Sequence, residues 1–340
     1  RGSVDCDPRN GRFWLRAPAT VAAAPSSRGA TGASVAWGRR MKMSMSVVPA
    51  VQRMNRPIGA ILVDAGKLSP QDVEQILLAQ RQQDLRFGDT AVKLGLLTPQ
   101  DVQHALAEQF AFPYLRPAGD GRAMSEDLEA AYEPFGAGAE KIRSLRSHLM
   151  LHWYSKTERR QILCVVGAQS REGRSYLAAN LAIVFAQAGE RTLLVDANLR
   201  RPRIHEMFAL NNRSGLSTLL SGRSGNEAIV HITELAGLFV LPSGPTPPNP
   251  LELLGQVAFA DLLGSARASF DVVIIDTPGL ADGDDAILVT ARAGAALAVA
   301  RSRHTRVDAF QGMLAEMKAM GVQLTGTVLN DIPANRAVAS

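Results

Sequence analysis

The sequence predicts an α/β protein whose main domain is a doubly wound, mostly parallel sheet, preceded by a small all-α repeat domain and a basic tail. Three observations support this. Apolar runs of strand length alternate with helical patterns from about residue 161 onwards, which is typical of parallel strands joined by helices. Two of the runs, LLVD and VVIID, end in an aspartate, as strands do beside a ligand crevice. A tandem repeat with helix-start signals predicts the all-α part.

Residues 1–54 are predicted to be a disordered basic tail, because they are rich in Arg, Ala, Ser, Gly and Pro without sustained periodicity. The composition is similar to that of an organelle transit peptide. The sequence does not begin with Met, so a fragment or an internal start codon is the favoured alternative. Ten Arg or Lys and two Asp within residues 1–56 give a local charge of +8, against +5 for the whole chain. The folded part is therefore slightly acidic, and no nucleic-acid partner is expected.

Cysteine content and hydropathy indicate the cellular compartment in which the protein works. The two cysteines, Cys6 and Cys164, cannot form a disulfide framework or a metal cluster, and they suit a reducing cytoplasm. No apolar run approaches the ~20 residues that a membrane-spanning helix needs. A cytoplasmic protein that docks on a membrane through a partner is the expectation.

Residues 55–117 contain the internal repeat. The stretch GKLSPQDV, beginning at Gly66, recurs as GLLTPQDV, beginning at Gly95, 29 residues later. Ser69 and Thr98 are the predicted N-caps, and each is followed by Pro at the first helical position. Apolar spacing gives each helix one buried face, so two copies predict a four-helix domain. Residues 118–136 are predicted to be a linker.

A helix is predicted over residues 137–150. Glu140, Arg143 and Arg146 recur on it at three-residue spacing and share one side. From the residues alone, this side is a solvated charged face.

A phosphate-binding loop is predicted between the first strand of the sheet and the helix that follows. The stretch AQSREGRS, residues 168–175, is close to the P-loop pattern, with Ala168 for the first Gly and Arg174 for the Lys. A helix N-terminus that follows a strand and a tight loop offers unpaired N–H groups to a phosphate. The predicted phosphate-binding residues form one run: Gln169, Ser170, Arg171, Glu172, Gly173, Arg174, Ser175 and Tyr176.

The ends of two later strands add carboxylates to this loop. Asp196 and Asp276 each close an apolar strand, and together with the Ser175 hydroxyl they are the predicted ligands of a phosphate-bound Mg²⁺. The alternative is that both aspartates are helix caps or ordinary strand-end acids. The basic run Arg200-Arg201-Pro202-Arg203 follows Asp196, and it either contacts phosphate or an acidic partner or forms a solvated loop.

Together these motifs resemble the bacterial tyrosine kinases (BY-kinases) of polysaccharide export, in particular the EpsG-type chain-length-determinant kinases. AQSREGRS is similar to the family's Walker A motif, LLVDANLR to its Walker A′ and IIDTP to its Walker B. The stretch GPTPPNPLELL is similar to its Pro-Asn-Pro segment. The resemblance implies a P-loop NTPase fold with deviant Walker motifs, related to the MinD/ParA ATPases, over residues 137–333, followed by a tail over residues 334–340. Those ATPases have a signature lysine where this chain has Gln169.

The resemblance also implies an activity, which is transfer of the γ-phosphoryl group of ATP to tyrosine with Mg²⁺ as cofactor. Its implied catalytic residues are Asp196, which would orient or deprotonate the acceptor hydroxyl, Arg174 in place of the loop lysine, and Asp276. Glu140, Arg143 and Arg146 match the family's oligomerisation helix, so a homo-oligomer is implied. A separate inner-membrane chain-length regulator, a Wzz-type adaptor, would hold the chain at the membrane.

The chain departs from the family at three places: Arg174, Asn198 in place of a second Walker A′ aspartate, and a C-terminus without tyrosine. The alternative function is therefore a non-catalytic switch, in which ATP binding drives oligomer assembly.

The repeat domain resembles the MshEN domains of type II secretion ATPases. That resemblance implies cyclic di-GMP as a ligand, with Arg86, Gly88 and Gly59 as candidate contacts. The alternative is a helical docking module without a ligand.

Overall fold

The computed structural model describes residues 56–83, 85–110, 112–115, 124–155, 157 and 161–331. The predicted basic tail at 1–54 and the predicted C-terminal tail at 334–340 lie outside the described residues.

The repeat forms the four predicted helices, which are α1 Ile58–Asp64, α2 Pro70–Gln83, α3 Phe87–Lys93 and α4 Pro99–Gln109. The predicted N-cap at Thr98 is confirmed, because its hydroxyl accepts the Asp101 N–H while the Asp101 carboxylate accepts the Thr98 N–H. Ser69 and Asp72 make the same reciprocal pair one repeat earlier. The helices share a hydrophobic core of Ile61, Leu62, Leu68, Ile76, Ala91, Leu97 and Ala105.

Two helices precede the sheet: α5 Glu129–Tyr132 and α6 Ala137–His152. The structure describes residues 124–136 of the predicted linker at 118–136. This part contributes three buried side chains, Leu128, Ala130 and Ala131, to the main core. Three apolar residues are too few to show a helical or strand period in the sequence. Their burial depends on residues elsewhere in the chain.

The predicted sheet is confirmed, with seven strands in the order β3-β4-β2-β5-β1-β6-β7. All pairs are parallel except β3 with β4. The strands are β1 Ile162–Gly167, β2 Thr192–Asp196, β3 Val230–His231, β4 Leu238–Leu241, β5 Val272–Asp276, β6 Ala295–Arg301 and β7 Gln323–Asn330. The antiparallel β3 was not predicted, since two residues are too few to show a period.

Helices cover both faces of the sheet. They are α7 Arg174–Gln187, α8 Ile204–Met207, α9 Leu216–Leu220, α10 Pro250–Gly255, α11 Val257–Ser269, α12 Asp285–Ala293 and α13 Val307–Ala319. Alternate residues of β1 enter two separate cores, Leu163 and Val165 on the α6–α7 side, Cys164 and Val166 on the α10–α13 side. α10 and α11 are separated by Gln256, whose backbone is extended (φ −66°, ψ 157°).

Within the part of the chain that the structure describes, no helix combines the length and apolarity needed to span a bilayer.

Candidate active site

The two predicted carboxylates lie side by side at the carboxyl edge of the sheet. β2 and β5 are neighbouring parallel strands, and Asp196 and Asp276 are partners in their register. Both residues are fully buried. Parallel strands end at the same edge, so two strand-final aspartates become neighbours without any special loop.

The third predicted ligand, Ser175, reaches this pair from the next strand. β1 lies beside β5, and the loop that leaves β1 leads into α7, where Ser175 is the second residue. Its hydroxyl donates a 2.6 Å hydrogen bond to Oδ2 of Asp276. The structure therefore brings a hydroxyl and two carboxylates together where the sequence placed the metal.

The turn after β2 wraps around the Asp196 carboxylate. Oδ1 accepts the N–H of Asn198 at 3.1 Å, and Oδ2 accepts the N–H of Ile204 at 3.2 Å. Burial, followed by the nearby charge of Asp276, raises the pKa of Asp196 well above its usual value, and the main-chain N–H groups only partly oppose this. The main-chain contacts hold Asp196 in one orientation.

Asp276 has one satisfied and one unsatisfied oxygen. Burial raises its pKa to about 6, against the opposing effects of the Ser175 hydrogen bond and the charges of Arg174 and Arg203. Among the described residues, none hydrogen-bonds its buried Oδ1. Two buried carboxylates and a hydroxyl form an all-oxygen donor set, which suits Mg²⁺. The unsatisfied oxygen and the raised pKa values both indicate that a cation fits here.

The loop before α7 has the backbone of a phosphate cradle. Gly173 adopts φ +91° and Arg171 φ +63°, in the left-handed region that Gly tolerates best. A side chain at Gly173 would also collide with the Asn330 amide. The loop leads directly into the N-terminus of α7, whose first N–H groups have no partner within the helix.

Residues far along the chain hold this loop in place. Arg301, at the end of β6, donates to the Arg171 carbonyl at 3.1 Å. Asn330, at the end of β7, donates to the Glu172 carbonyl at 3.0 Å, and the Thr305 hydroxyl donates to the Glu172 carboxylate at 2.6 Å. Sequence reasoning did not identify Thr305 or Asn330 as site residues, and no local pattern marks them.

Arg174 points inward, away from the position that the sequence predicted for it. It is only 7% exposed, and it forms an ion pair with the fully buried Glu172 at 3.2 Å. Its Nε donates to the Thr277 carbonyl at 3.1 Å, and the guanidinium also donates to the Gln169 carbonyl. The predicted phosphate ligands Arg174 and Glu172 therefore neutralise each other in this structure.

The other predicted loop residues are fixed from neighbouring elements. The Ser170 hydroxyl donates to Asp282 at 2.9 Å, and the Tyr176 hydroxyl donates to Glu129 at 2.6 Å. Asn180, one turn further along α7, is fully buried. Its side chain accepts the Ala130 N–H at 2.8 Å and donates to the carbonyls of Asp127 and Tyr176. No sequence pattern marks this buried amide, which attaches the loop helix to the segment before α6.

Asn198 and Arg200, in the turn after β2, are engaged within the protein. The Asn198 side chain donates to the Arg201 carbonyl at 2.9 Å and accepts its N–H at 3.1 Å, so this amide closes the turn. The Arg200 guanidinium donates to both carboxylate oxygens of Asp285, at 2.5 and 3.2 Å, and Asp285 is only 1% exposed. Neither side chain lies free to act on a substrate.

The three residues of the predicted oligomerisation helix α6 make different contacts. Arg143 pairs with Glu140 at 2.7 Å and also donates to the Pro134 carbonyl. Arg146 donates to the Val184 carbonyl at 2.8 Å and so joins α6 to α7. Burial, and then the charge of Arg143, lowers the pKa of Arg146. Arg146 therefore supports the fold of its own chain, while Glu140 stays exposed.

Packing accounts for both glycines of the predicted cyclic di-GMP contacts. A Cβ at Gly88 would lie 2.5 Å from Val102, and one at Gly59 would lie 3.3 Å from Val73. These are equivalent crossings in the two repeats, where α1 meets α2 and α3 meets α4. Arg86 is exposed at the start of α3.

Comparisons with known proteins identify relatives of this chain. No family model matches the chain. The tyrosine-protein kinase YwqD of Bacillus subtilis is 36% identical over 213 residues, which cover 62% of this chain and 88% of YwqD. The putative tyrosine-protein kinase CapB of Staphylococcus aureus is 32% identical over 208 residues, covering 60% and 89%. The tyrosine-protein kinase Wzc of Salmonella typhi is 34% identical over 211 residues, 62% of this chain. The match covers only 29% of Wzc, so the chain spans under a third of the length of such relatives.

Solved structures give the same result. The chimerical protein CapA2B2 is 35% identical with a TM-score of 0.58, over 68% of this chain and 99% of that one. The kinase domain of the Escherichia coli tyrosine kinase ETK is 30% identical with a TM-score of 0.59, over 66% and 86%.

The sheet order, the loop and the paired carboxylates define a P-loop protein. Among P-loop proteins, the chain belongs to the bacterial tyrosine-protein kinase family, as the resemblance predicted. The similarity of residues 55–117 to MshEN domains stays a prediction.

Proposed function

We propose that the protein is an ATP-dependent tyrosine kinase that acts in exopolysaccharide or capsule assembly and regulates chain length. One observation supports this most strongly: the Ser175 hydroxyl contacts Asp276 beside Asp196, directly after a phosphate-type loop. The relatives that match over most of their own length are named tyrosine-protein kinases, which supports the same activity.

The main-chain N–H groups of residues 169–176 would bind the phosphates of ATP. Ser175, Asp196 and Asp276 would hold Mg²⁺, which supplies positive charge to the phosphate oxygens when it is bound. Asn330 and Thr305 hold the loop through the Glu172 carbonyl and the Glu172 carboxylate, respectively, and so keep its N–H groups in place for the nucleotide. The chain's own part in this stage is positioning.

Asp196 is the residue placed to act on the acceptor. Its carboxylate is oriented by main-chain N–H groups at the end of β2 and would accept the proton of the tyrosine hydroxyl. The phenolic oxygen then forms a bond to the γ-phosphorus while the bond from that phosphorus to the β–γ bridging oxygen breaks. The products are phosphotyrosine and ADP, and the proton passes from Asp196 to solvent.

The test is transfer of label from γ-labelled ATP to tyrosine in the presence of Mg²⁺. We expect phosphotyrosine with the unmodified chain and none with Asp196→Asn, which keeps the size of the side chain but removes the base. Arg306→Gln, on an exposed pair with Asp308, is the matched control and should label normally. Failure of the unmodified chain to label any tyrosine, in itself or in an added peptide, would contradict the proposal.

We further propose a separate inner-membrane adaptor of the chain-length-regulator type and a homo-oligomer formed through the exposed Glu140 side of α6. Sedimentation of the unmodified chain and of Glu140→Ala tests the oligomer. We expect a smaller species for the variant. An unchanged distribution would remove α6 from the interface.

The second candidate function is an ATP-dependent assembly switch without transfer. Two observations favour it: Glu172 neutralises Arg174, and Asn198 is committed to the Arg201 backbone. A switch would bind ATP tightly and change its sedimentation with nucleotide, yet form no phosphotyrosine.

For the repeat helices we propose a docking role rather than a cyclic di-GMP site, since packing explains Gly59 and Gly88. Calorimetry with cyclic di-GMP should give no binding heat. A binding heat that Arg86→Ala abolishes would overturn this.

A further inference from the structure

The arginines near the candidate active site differ in how much of their charge is free. Arg174 is neutralised by Glu172, and Arg200 is neutralised by the buried Asp285. Arg203 is 52% exposed, and it meets Asp127, itself 56% exposed, at 4.0 Å. An ion pair this open contributes little, so Arg203 is able to exchange Asp127 for another anion. Of these three cations, Arg203 is the one available to a ligand from solvent.

Arg203 is adjacent in sequence to a main-chain contact with Asp196. It directly precedes Ile204, whose N–H donates to Oδ2 of Asp196 at 3.2 Å. Arg203 is therefore a solvent-accessible charge one residue away from a main-chain contact with the Asp196 carboxylate.

A second exposed cation stands in the same turn. Arg201 is exposed, and its main chain is fixed by the Asn198 side chain. We call Arg201 and Arg203 the basic rim. The exposed acidic side chains on these segments are Glu126, Asp127 and Glu206. A carboxylate-bearing ligand would thus meet two cations on a turn whose backbone is held rigid.

The rim belongs to the acceptor side of the site rather than to the phosphate loop. It is built on the turn after β2 that orients Asp196, the residue placed to act on the tyrosine hydroxyl. The phosphate loop leaves a different strand, β1, and its Arg174 is directed inward. The rim therefore shares its turn with the residue proposed to act on the acceptor.

We propose that the basic rim binds carboxylate side chains flanking the acceptor tyrosine, so that the preferred substrate is an acidic tyrosine-containing segment. This inference rests on the proposed kinase function. Arg203 contributes most, because it directly precedes the residue whose N–H binds Asp196. Asp127 pairs with its guanidinium until the substrate carboxylate replaces it.

The experiment compares three peptides that differ only in the residues flanking one tyrosine: Glu, Gln or Lys. For the full chain we expect the lowest KM with the Glu peptide. Arg203→Gln should raise that KM about fivefold, as expected for the loss of one partly exposed charge contact, with the KM for ATP unchanged. Arg203→Glu should favour the Lys peptide. The preference should weaken in about 0.5 M salt, which screens exposed charges. The control Arg306→Gln removes the same charge from an exposed pair elsewhere and should match the unmodified chain.

Two results would overturn the inference. One is an equal KM for all three peptides in the unmodified chain, and the other is an Arg203→Gln effect on the KM for ATP alone, which would make Arg203 a phosphate contact. If the unmodified chain transfers no phosphoryl group to any peptide, the proposed function fails. The role of the basic rim is then tested separately by peptide binding. Fluorescent peptides with Phe for Tyr should then bind tighter with Glu flanks than with Lys flanks, and equal affinities would reject the rim.

Discussion

The Ser175 hydroxyl and the Asp276 carboxylate, 101 residues apart in the chain, are joined by a 2.6 Å hydrogen bond. The next residue reinforces the contact, because the Thr277 hydroxyl donates to the Val165 carbonyl of β1 at 2.8 Å. Arg174 donates to the carbonyl of the same Thr277. The end of β5 is thus tied both to β1 and to the start of α7. The candidate site is largely formed before any ligand binds.

The paired carboxylates predict an unusual pH dependence of stability. The pKa of Asp276 is raised by burial to about 6 in the folded protein, from 3.8, and that of Asp196 is raised as well. Between pH 3.8 and about pH 6, Asp276 holds more protons in the folded protein than in the unfolded chain, so stability falls as pH rises. Without Mg²⁺, the free energy of unfolding should drop by ~1–3 kcal/mol between about pH 5 and pH 8.

Urea unfolding at the two pH values, with chelator and with Mg²⁺, measures this effect. Mg²⁺ should remove most of the drop, since a bound cation replaces the protons. Asp276→Asn should flatten the chelated profile. A stability that rises with pH in the chelated, unmodified protein would contradict the assignment.

The buried amide of Asn180 predicts a large loss of stability on truncation. Asn180→Ala would leave the Ala130 N–H and the Asp127 carbonyl without partners in a buried site. We expect a loss of ~2–4 kcal/mol in urea unfolding, at about 1–3 kcal/mol for each unsatisfied group. Asn226→Ala, at an exposed asparagine, is the control and should change stability by less than ~0.5 kcal/mol. Equal small losses for both variants would show that the amide network contributes little.

The inward position of Arg174 predicts that lysine, the residue usual in P-loops, is the less stable choice here. Arg174→Lys keeps the charge but cannot reach Glu172, Thr277 and Gln169 together, because it lacks the planar fork. The nucleotide-free variant should lose ~1–3 kcal/mol of unfolding free energy. Arg306→Lys, on the exposed surface, should lose almost nothing. A variant as stable as the parent chain would mean that the buried fork is unimportant.

Close packing at Gly88 predicts a clash that a second substitution relieves. Gly88→Ala would place Cβ 2.5 Å from a Val102 methyl group. Overpacking of this kind costs ~1–3 kcal/mol. Gly59→Ala, with 3.3 Å to Val73, should cost less. Thermal melts followed by circular dichroism should show Gly88→Ala partly rescued by Val102→Ala. Additive losses in the double variant would disprove the clash.

Much of the fold could be predicted from local patterns. The caps at Ser69 and Thr98 and the ends of β2 and β5 are set by neighbouring residues, so the sequence alone located them. The meeting of Ser175, Asp196 and Asp276 also followed, because parallel strands end at one edge.

The remaining features depend on partners that are distant in sequence. Asn330 reaches the loop from 158 residues away and Arg301 from 130, and neither has a periodic or motif signal. The inward position of Arg174 depends on the burial of Glu172, which a motif cannot show. The packing of Leu128 depends on the surface of α7 for the same reason.

The most direct test of the central claim, that three elements converge on one metal–nucleotide site, is the affinity for ATP with and without Mg²⁺. Calorimetry on the unmodified chain should show at least ~10-fold tighter binding with Mg²⁺. Asp276→Asn should bind equally with and without the metal. ATP binding that is indifferent to Mg²⁺ in the unmodified chain would contradict the account, as would no binding at all.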